Sequence, residues 1–261
     1  MNSRRIFEPV GQVALAFFNG YGRMTILFLQ TLKAFRRIPR YARQIFDQYT
    51  YIGRRSVPMV LIASIFVGFV LGVQIATQIS PDTPTWIEAG LIFRSVMLEM
   101  GPIITGLILA GRVSSGIAAE IGTMVVTEQV DALRTMGIDP IEFLVLPRLV
   151  AGMIAMPMLT ILFDFDAILA GFVSTYYTID LRWPGFVRGM RSVFATTDVY
   201  TSIIKGLLNG MIITTIGSFF GLEAKKGAKG VGSATTNAVV AACIVIIMVD
   251  YVISASLYHL W

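Results

Sequence analysis

The residues that could do chemistry in this chain are few and sit in unusual surroundings. Glu99, Asp164, Asp166 and Asp250 fall inside long apolar stretches, with Arg94 and Lys205 as cationic counterparts. An ionisable group at bilayer depth costs about 2.5–3.5 kcal/mol on insertion scales, so it must face a bundle interior or a wet cavity. Three kinds of chemistry suit such a set: ion pairs that lock helices together, contacts to a polar substrate group along its path, or a proton relay. Residue types alone leave all three open. Glu99 lies just before Gly101-Pro102, where a helix bends and bares backbone carbonyls, and this makes it the preferred lining residue. Other chemistries lack their parts. One histidine (His259) and one cysteine (Cys243) exclude a histidine-rich metal centre and an internal disulfide. No Ser-His-Asp set or metal-ligand spacing occurs. The Gly227–Gly232 run resembles a phosphate-cradling loop, but no Gly-Lys-Ser/Thr follows it and no strand precedes it. With Lys225, Lys226 and Lys229 it reads as a basic turn suited to lipid head groups. No nucleotide site and no cofactor are expected in this chain.

The elements that must position these charges are membrane helices. Of 261 residues, 55% are hydrophobic and 14% charged, where a soluble domain carries about 25% charged residues. That excludes a water-soluble enzyme, a disordered chain and a disulfide-stapled secreted domain, and predicts an all-α integral membrane protein. A span needs about 20 apolar residues, and five candidates cover about 56–81, 87–111, 147–177, 200–221 and 237–260. The first holds no charge at all. The third is long for one crossing, which predicts a tilted helix or one kinked at Pro157. Gly68 and Gly72, Gly206 and Gly210, and Gly217 and Gly221 repeat a four-residue spacing that lets helices approach closely.

Residues 1–55 form a separate segment with ten basic and two acidic residues. Phe7, Val10, Val13, Phe17, Tyr21, Met24, Phe28, Leu32 and Phe35 recur at helical steps, which predicts an amphipathic helix in the membrane interface. A signal peptide is the rival reading, but no small-residue cleavage site follows the apolar stretch. With the N-terminus cytoplasmic, sixteen basic residues lie inside and three (Arg182, Arg188, Arg191) outside. The positive-inside rule therefore places the C-terminus on the far side.

Between spans two and three, 111–148 is too polar for lipid and too helix-prone for an idle loop. Gly137 can end a helix in the left-handed conformation and Asp139-Pro140 prevents its continuation, so one cytoplasmic helix is predicted over about 114–136. It is small-residue-rich at Ser114, Ser115, Gly116, Ala118 and Ala119, and acidic at Glu120, Glu128 and Asp131. It is either a solvated connector or a docking helix that transmits motion from a soluble partner, and spacing does not decide between them.

These residues carry a resemblance. Gly111-Arg112 through Glu120, then Glu128-Gln129, Asp131-Ala132-Leu133, Met136-Gly137-Ile138-Asp139-Pro140 and Pro147-Arg148 resemble the MlaE (YrbE) family. So do Glu99-Met100-Gly101-Pro102 and Gly227-Ala228-Lys229-Gly230-Val231-Gly232 with Ala234-Thr235-Thr236 and Val239-Val240. The similarity covers most of the chain from about residue 40. It implies an inner-membrane permease subunit (residues 56–261) of an ABC-type phospholipid transporter that serves outer-membrane lipid asymmetry, working as a homodimer. It also implies a separate cytoplasmic ATPase holding ATP and Mg, and a periplasmic MCE-domain protein. A small STAS-domain subunit is compatible, though no residue here demands it, and no nucleic acid is implied. The segment after span two would be the helix that seats in the ATPase, assigning that role to Arg112, Glu120, Glu128, Asp131 and Arg134. Spans one and five would face the partner copy around a lipid cavity, with Leu71, Val73, Gln74 and Ile75 against acyl chains beside Glu99, Arg94 and Leu98. The family often has arginine where this chain has Leu98, and Arg94, one turn earlier, is expected to supply the charge. Asp250 stands where the family commonly carries an acid. An ion-coupled secondary transporter using Glu99, Asp164 and Asp250 is the alternative, and a non-transporting scaffold a third.

Overall fold

The computed structural model describes residues 19–20, 22–78 and 83–258. Phe7, Val10, Val13, Phe17 and Tyr21 of the N-terminal stripe, and His259, lie outside them. No strand occurs among the described residues, and five helical rods are long and apolar enough to cross a membrane. Span one is Val57–Gln78, span two Trp86–Val126, span three Ile141–Ile179, span four Thr196–Leu222 and span five Ala228–Tyr258. Short helices lie at Gln129–Thr135 and Trp183–Val193.

Span three is the axis of the bundle. Of its most apolar stretch 72% is buried, against 22% for the rods containing spans one and five. Lipid tails are as apolar as leucine, so packing between spans relies on close approach of small residues. The glycines supply it within one chain. A Cβ on Gly68 would fall 2.7 Å from the Ala170 Cβ of span three, and one on Gly210 of span four 2.7 Å from the Gly152 carbonyl carbon. Gly217 and Gly221 lie equally close to Ser114 and Ile121 at the far end of span two. Pro157 is accommodated inside span three, with its Cα against Gly206.

Two expectations need correction. The single helix over 114–136 does not exist. Span two runs unbroken to Val126, because Ile117, Ala118 and Ile121 are fully buried against spans four and five; the small residues that suggested a membrane exit are packing residues. The rod ends where Glu128 takes φ +60°, leaving only the exposed Gln129–Thr135 helix. Gly137, at φ +74°, closes that helix as expected, with the Ile138 N–H on the Leu133 carbonyl at 3.0 Å. Asp139 Oδ1 then accepts from the Ile141 N–H at 2.9 Å, starting span three.

Second, the N-terminal stripe is kept only in part. Residues 22–33 are helical, and Met24, Phe28 and Phe35 are half-buried beside the buried line Leu27, Thr31 and Ala34, but Leu32 is exposed together with Ile26 and Leu29. This helix is apolar on more than one side, packing Leu27 on Val145 and Phe219. Arg23 pairs with Glu223 at 2.8 Å and Arg37 pairs with Glu142, so two cations of the basic N-terminal segment meet carboxylates of the bundle. The segment 180–198, which the sequence reading used only for its charge, contains a helix. Trp183–Val193 begins with Pro184 in its first turn and packs on the start of span two, with Phe172, Trp183 and Phe186 in edge and stacked ring contacts.

Gly210→Val should drive spans three and four apart. An overpacking cost of about 1–3 kcal/mol is expected, read as a lower unfolding temperature in detergent. Gly111→Ala, which meets open space, should leave that temperature unchanged.

Candidate functional site

The charged residues assemble around Lys205. Its side chain is 2% exposed, and the Nζ is 2.9 Å from Asp250 Oδ1 and 3.3 Å from Glu99 Oε2. It also donates to Ser254 Oγ at 2.8 Å and to the Leu98 carbonyl at 2.7 Å. Ser254 in turn donates to Glu99 Oε1 at 2.8 Å. Spans two, four and five therefore meet at one ammonium.

Local sequence explains why the acceptors are there. Proline has no N–H, so Pro102 leaves the carbonyl of Leu98, four residues earlier, without its helical donor. The helix widens over Val96–Met100, with the Gly101 N–H reaching back to Val96 O, and Lys205 fills the orphaned acceptor. One turn along span four, Asn209 Nδ2 donates to the Pro102 carbonyl at 2.9 Å. The acceptor that Pro102 frees is thus taken by Lys205, and Asn209 adds a second link from span four to the same region of span two.

The four carboxylates do not share one role. Asp250 is buried, whereas the side chain of Glu99 is 41% exposed, so the cluster opens on the Glu99 side. With all three groups ionised its formal charge is −1, and the uncompensated charge lies on the open side. Asp164 is buried under Gly101 and accepts from Ser202 Oγ at 2.6 Å. Asp166 accepts from Ser64 Oγ, tying span three to span one.

Several expected site residues fall elsewhere. Arg94 does not supply the charge missing at position 98; it is half exposed and lies 3.8 Å from Asp198, and Lys205 fills the need from another span. Leu71 and Ile75 pack against the core, while Val73 and Gln74 point outward, so the four are not one wall. Glu120 pairs with Arg148, itself 4% exposed, at 2.8 Å, and Arg112 donates to Ser56 Oγ beside the Tyr51 ring. Glu128, Asp131 and Arg134 alone share the exposed turn and short helix, with an Asp131–Arg134 pair at 3.0 Å. Sequence reading missed Ser254, Ser202, Asn209 and Ser64. The i,i+4 pair Lys205–Asn209, facing the Leu98–Pro102 pair of the same spacing, was the available signal.

Five apolar rods, three of them joined by a charged cluster that is sealed on one side and open on the other, define a polytopic helical membrane protein. The Permease MlaE family model matches residues 45–256. The chain is 36% identical over 249 residues to "Probable ABC transporter permease protein" of Rickettsia felis, covering 95% of this chain and 96% of the relative. It is 36% identical over 228 residues to a protein of that description from Synechocystis, covering 87% and 85%. It is 30% identical over 260 residues to "Intermembrane phospholipid transport system permease protein MlaE" of Haemophilus influenzae, covering 96% and 97%. The chain belongs to the MlaE permease family.

Lys205→Met leaves two buried-edge carboxylates unpaired and should cost roughly 3–5 kcal/mol, read as lost folded protein on heating in detergent. Adding Glu99→Gln and Asp250→Asn should restore at least half of it. A triple variant no more stable than Lys205→Met would mean that charge compensation is not what holds these spans.

Proposed function

We propose that this chain is the membrane-spanning subunit of an ABC-type phospholipid transporter, moving lipid between the inner membrane and an MCE-domain protein. The observation that carries the reading is the position of Glu99: a half-exposed carboxylate inside a span, between outward apolar faces. Span one turns out Ile62, Phe66 and Val70; span five turns out Ile244, Ile247 and Met248. Such faces bury apolar area on pairing, and a second copy set against them encloses the open side of the cluster. A cavity with apolar walls and one polar group suits an amphiphile with a head group and tails better than a sugar or an ion. The Haemophilus relative, whose name is that of an intermembrane phospholipid transport permease, supports the same substrate class.

The drive belongs to a separate cytoplasmic ATPase, which holds ATP and Mg. The exposed Glu128–Arg134 unit is its docking point, and closure of the ATPase pair moves span two, whose other half carries Glu99. This places the N-terminus in the cytoplasm and the C-terminus in the periplasm. A STAS-domain subunit is compatible with the scheme. The second reading, ion-coupled transport, draws on Asp164: 3% exposed, with Oδ1 lacking a hydrogen-bond partner among the described residues.

Reconstitution decides between them. Labelled phospholipid should move only with the ATPase and ATP present, and movement driven by a proton gradient without ATPase would establish the second reading. Glu128→Lys with Asp131→Lys should leave the fold intact yet lower lipid flux about tenfold or more, the factor that corresponds to losing one coupling contact. Unchanged flux removes the docking role from this turn. In a Cys243→Ser background, Met136→Cys should escape an impermeant maleimide in intact cells and Tyr177→Cys should react; the reverse pattern inverts the orientation.

A further inference from the structure

A second site lies where the N-terminal segment turns into the membrane. A groove of about 690 Å³ is lined by Phe46, Tyr49 and Arg54 on one side and by Ala155, Met158 and Leu162 of span three on the other. Phe46 is 67% and Met158 55% exposed, so the groove opens outward. The Tyr49 hydroxyl donates to the Met158 sulfur at 3.3 Å between its two sides. None of these residues belongs to the Lys205 cluster.

The chemistry at its two ends differs. Arg54 is exposed at the turn three residues before span one, and no carboxylate pairs with it among the described residues. Its neighbour Arg55 is turned away over the Tyr51 ring, 5.3 Å from the centroid. From that cationic rim the wall continues along span three from Ala155 to Leu162, about 10 Å at 1.5 Å per residue, and is apolar throughout. A guanidinium without a carboxylate partner among the described residues, beside an apolar groove, matches a phosphate followed by an acyl chain, since Arg takes phosphate oxygens in a forked, charge-assisted arrangement. The volume falls within the range of small-molecule sites, about 300–1,000 Å³, and the rim stands at the end of a span, where head groups lie.

The geometry points to a bound anionic phospholipid at this groove, its phosphate on Arg54 and one chain against Met158 and Leu162. It wedges the turn 53–56 against span three and is distinct from any transported lipid. The inference rests on the membrane-spanning fold and stands whether or not the chain transports phospholipid.

Native mass spectrometry of the full chain, purified in the assembly in which it leaves the membrane, tests it. Delipidated protein is offered phosphatidylglycerol or phosphatidylcholine. The wild type should bind phosphatidylglycerol in preference, and Arg54→Gln should weaken that binding about tenfold, the loss of one charge-assisted contact. Met158→Trp, which fills the groove, should remove one bound phosphatidylglycerol per chain, while Gly111→Ala, which meets open space and does not line the groove, should leave this count unchanged. Equal binding of the two lipids by the wild type, or undiminished phosphatidylglycerol binding in Arg54→Gln, overturns the assignment. Arg54 is exposed and its side chain makes no hydrogen bond or ion pair among the described residues, so its variant decides the question by itself.

Discussion

An ammonium group inside a bundle of apolar helices has to be ringed by acceptors, and the relation of three spans follows from how Lys205 meets that demand. Water could supply those acceptors only at the cost of opening the bundle. Instead Pro102 releases one backbone carbonyl, span five contributes Asp250 and Ser254, and span two contributes Glu99. Each partner comes from a different element or a different chemical source, so shifting any one span weakens the enclosure of the same charge. A buried ion pair of this kind adds little net stability over an apolar replacement, but losing one partner is expensive. That asymmetry makes the cluster a device for fixing register between spans, and its half-open edge at Glu99 leaves one acceptor able to exchange partners.

The remaining polar groups in the spans act locally by comparison. Asp166 with Ser64 links spans one and three, Asp164 with Ser202 links spans three and four, and Ser174 donates to the Phe69 carbonyl at 3.0 Å. Between these links, glycine and alanine bring helix backbones close enough that a single added methyl would collide. Packing is thus specified by polar pins and small-residue seams, while the large side chains Phe66, Ile247 and Met248 face away from the chain.

Five membrane rods, the end of the short helix at Gly137 and the need of Glu99, Lys205 and Asp250 for an enclosed polar setting were legible in the sequence, because apolar length, left-handed glycine and charge in apolar surroundings are local signals. What could not be read depends on which helices become neighbours. Ser114–Ile121 has the composition of a surface helix, yet its small residues serve spans four and five, so the boundary predicted at 111 moved to Val126. Arg94 is closer to Glu99 in sequence than Lys205 is, but a helix position one turn away need not share its neighbour's environment. The turn at Glu128 gave no warning, since a positive φ at glutamate is imposed by the chain entering the short helix and not by the residue. Trp183–Val193 was passed over because it is amphipathic and short, and only the aromatic contacts with Phe172 reveal what it covers.

Span two also has a length that matters beyond the membrane. Its 41 residues from Trp86 to Val126 make a rod of about 60 Å at 1.5 Å per residue, twice the hydrocarbon thickness of about 30 Å. Glu99 and Glu128 are then about 44 Å apart along one nearly continuous helix. A stiff arm of that reach converts a tilt of about 5° at the cluster into a sweep of about 4 Å at the tip, by the same rise per residue. Geometry of this kind amplifies in one direction and reduces in the other: a large displacement at the exposed end corresponds to a fine adjustment at the carboxylate.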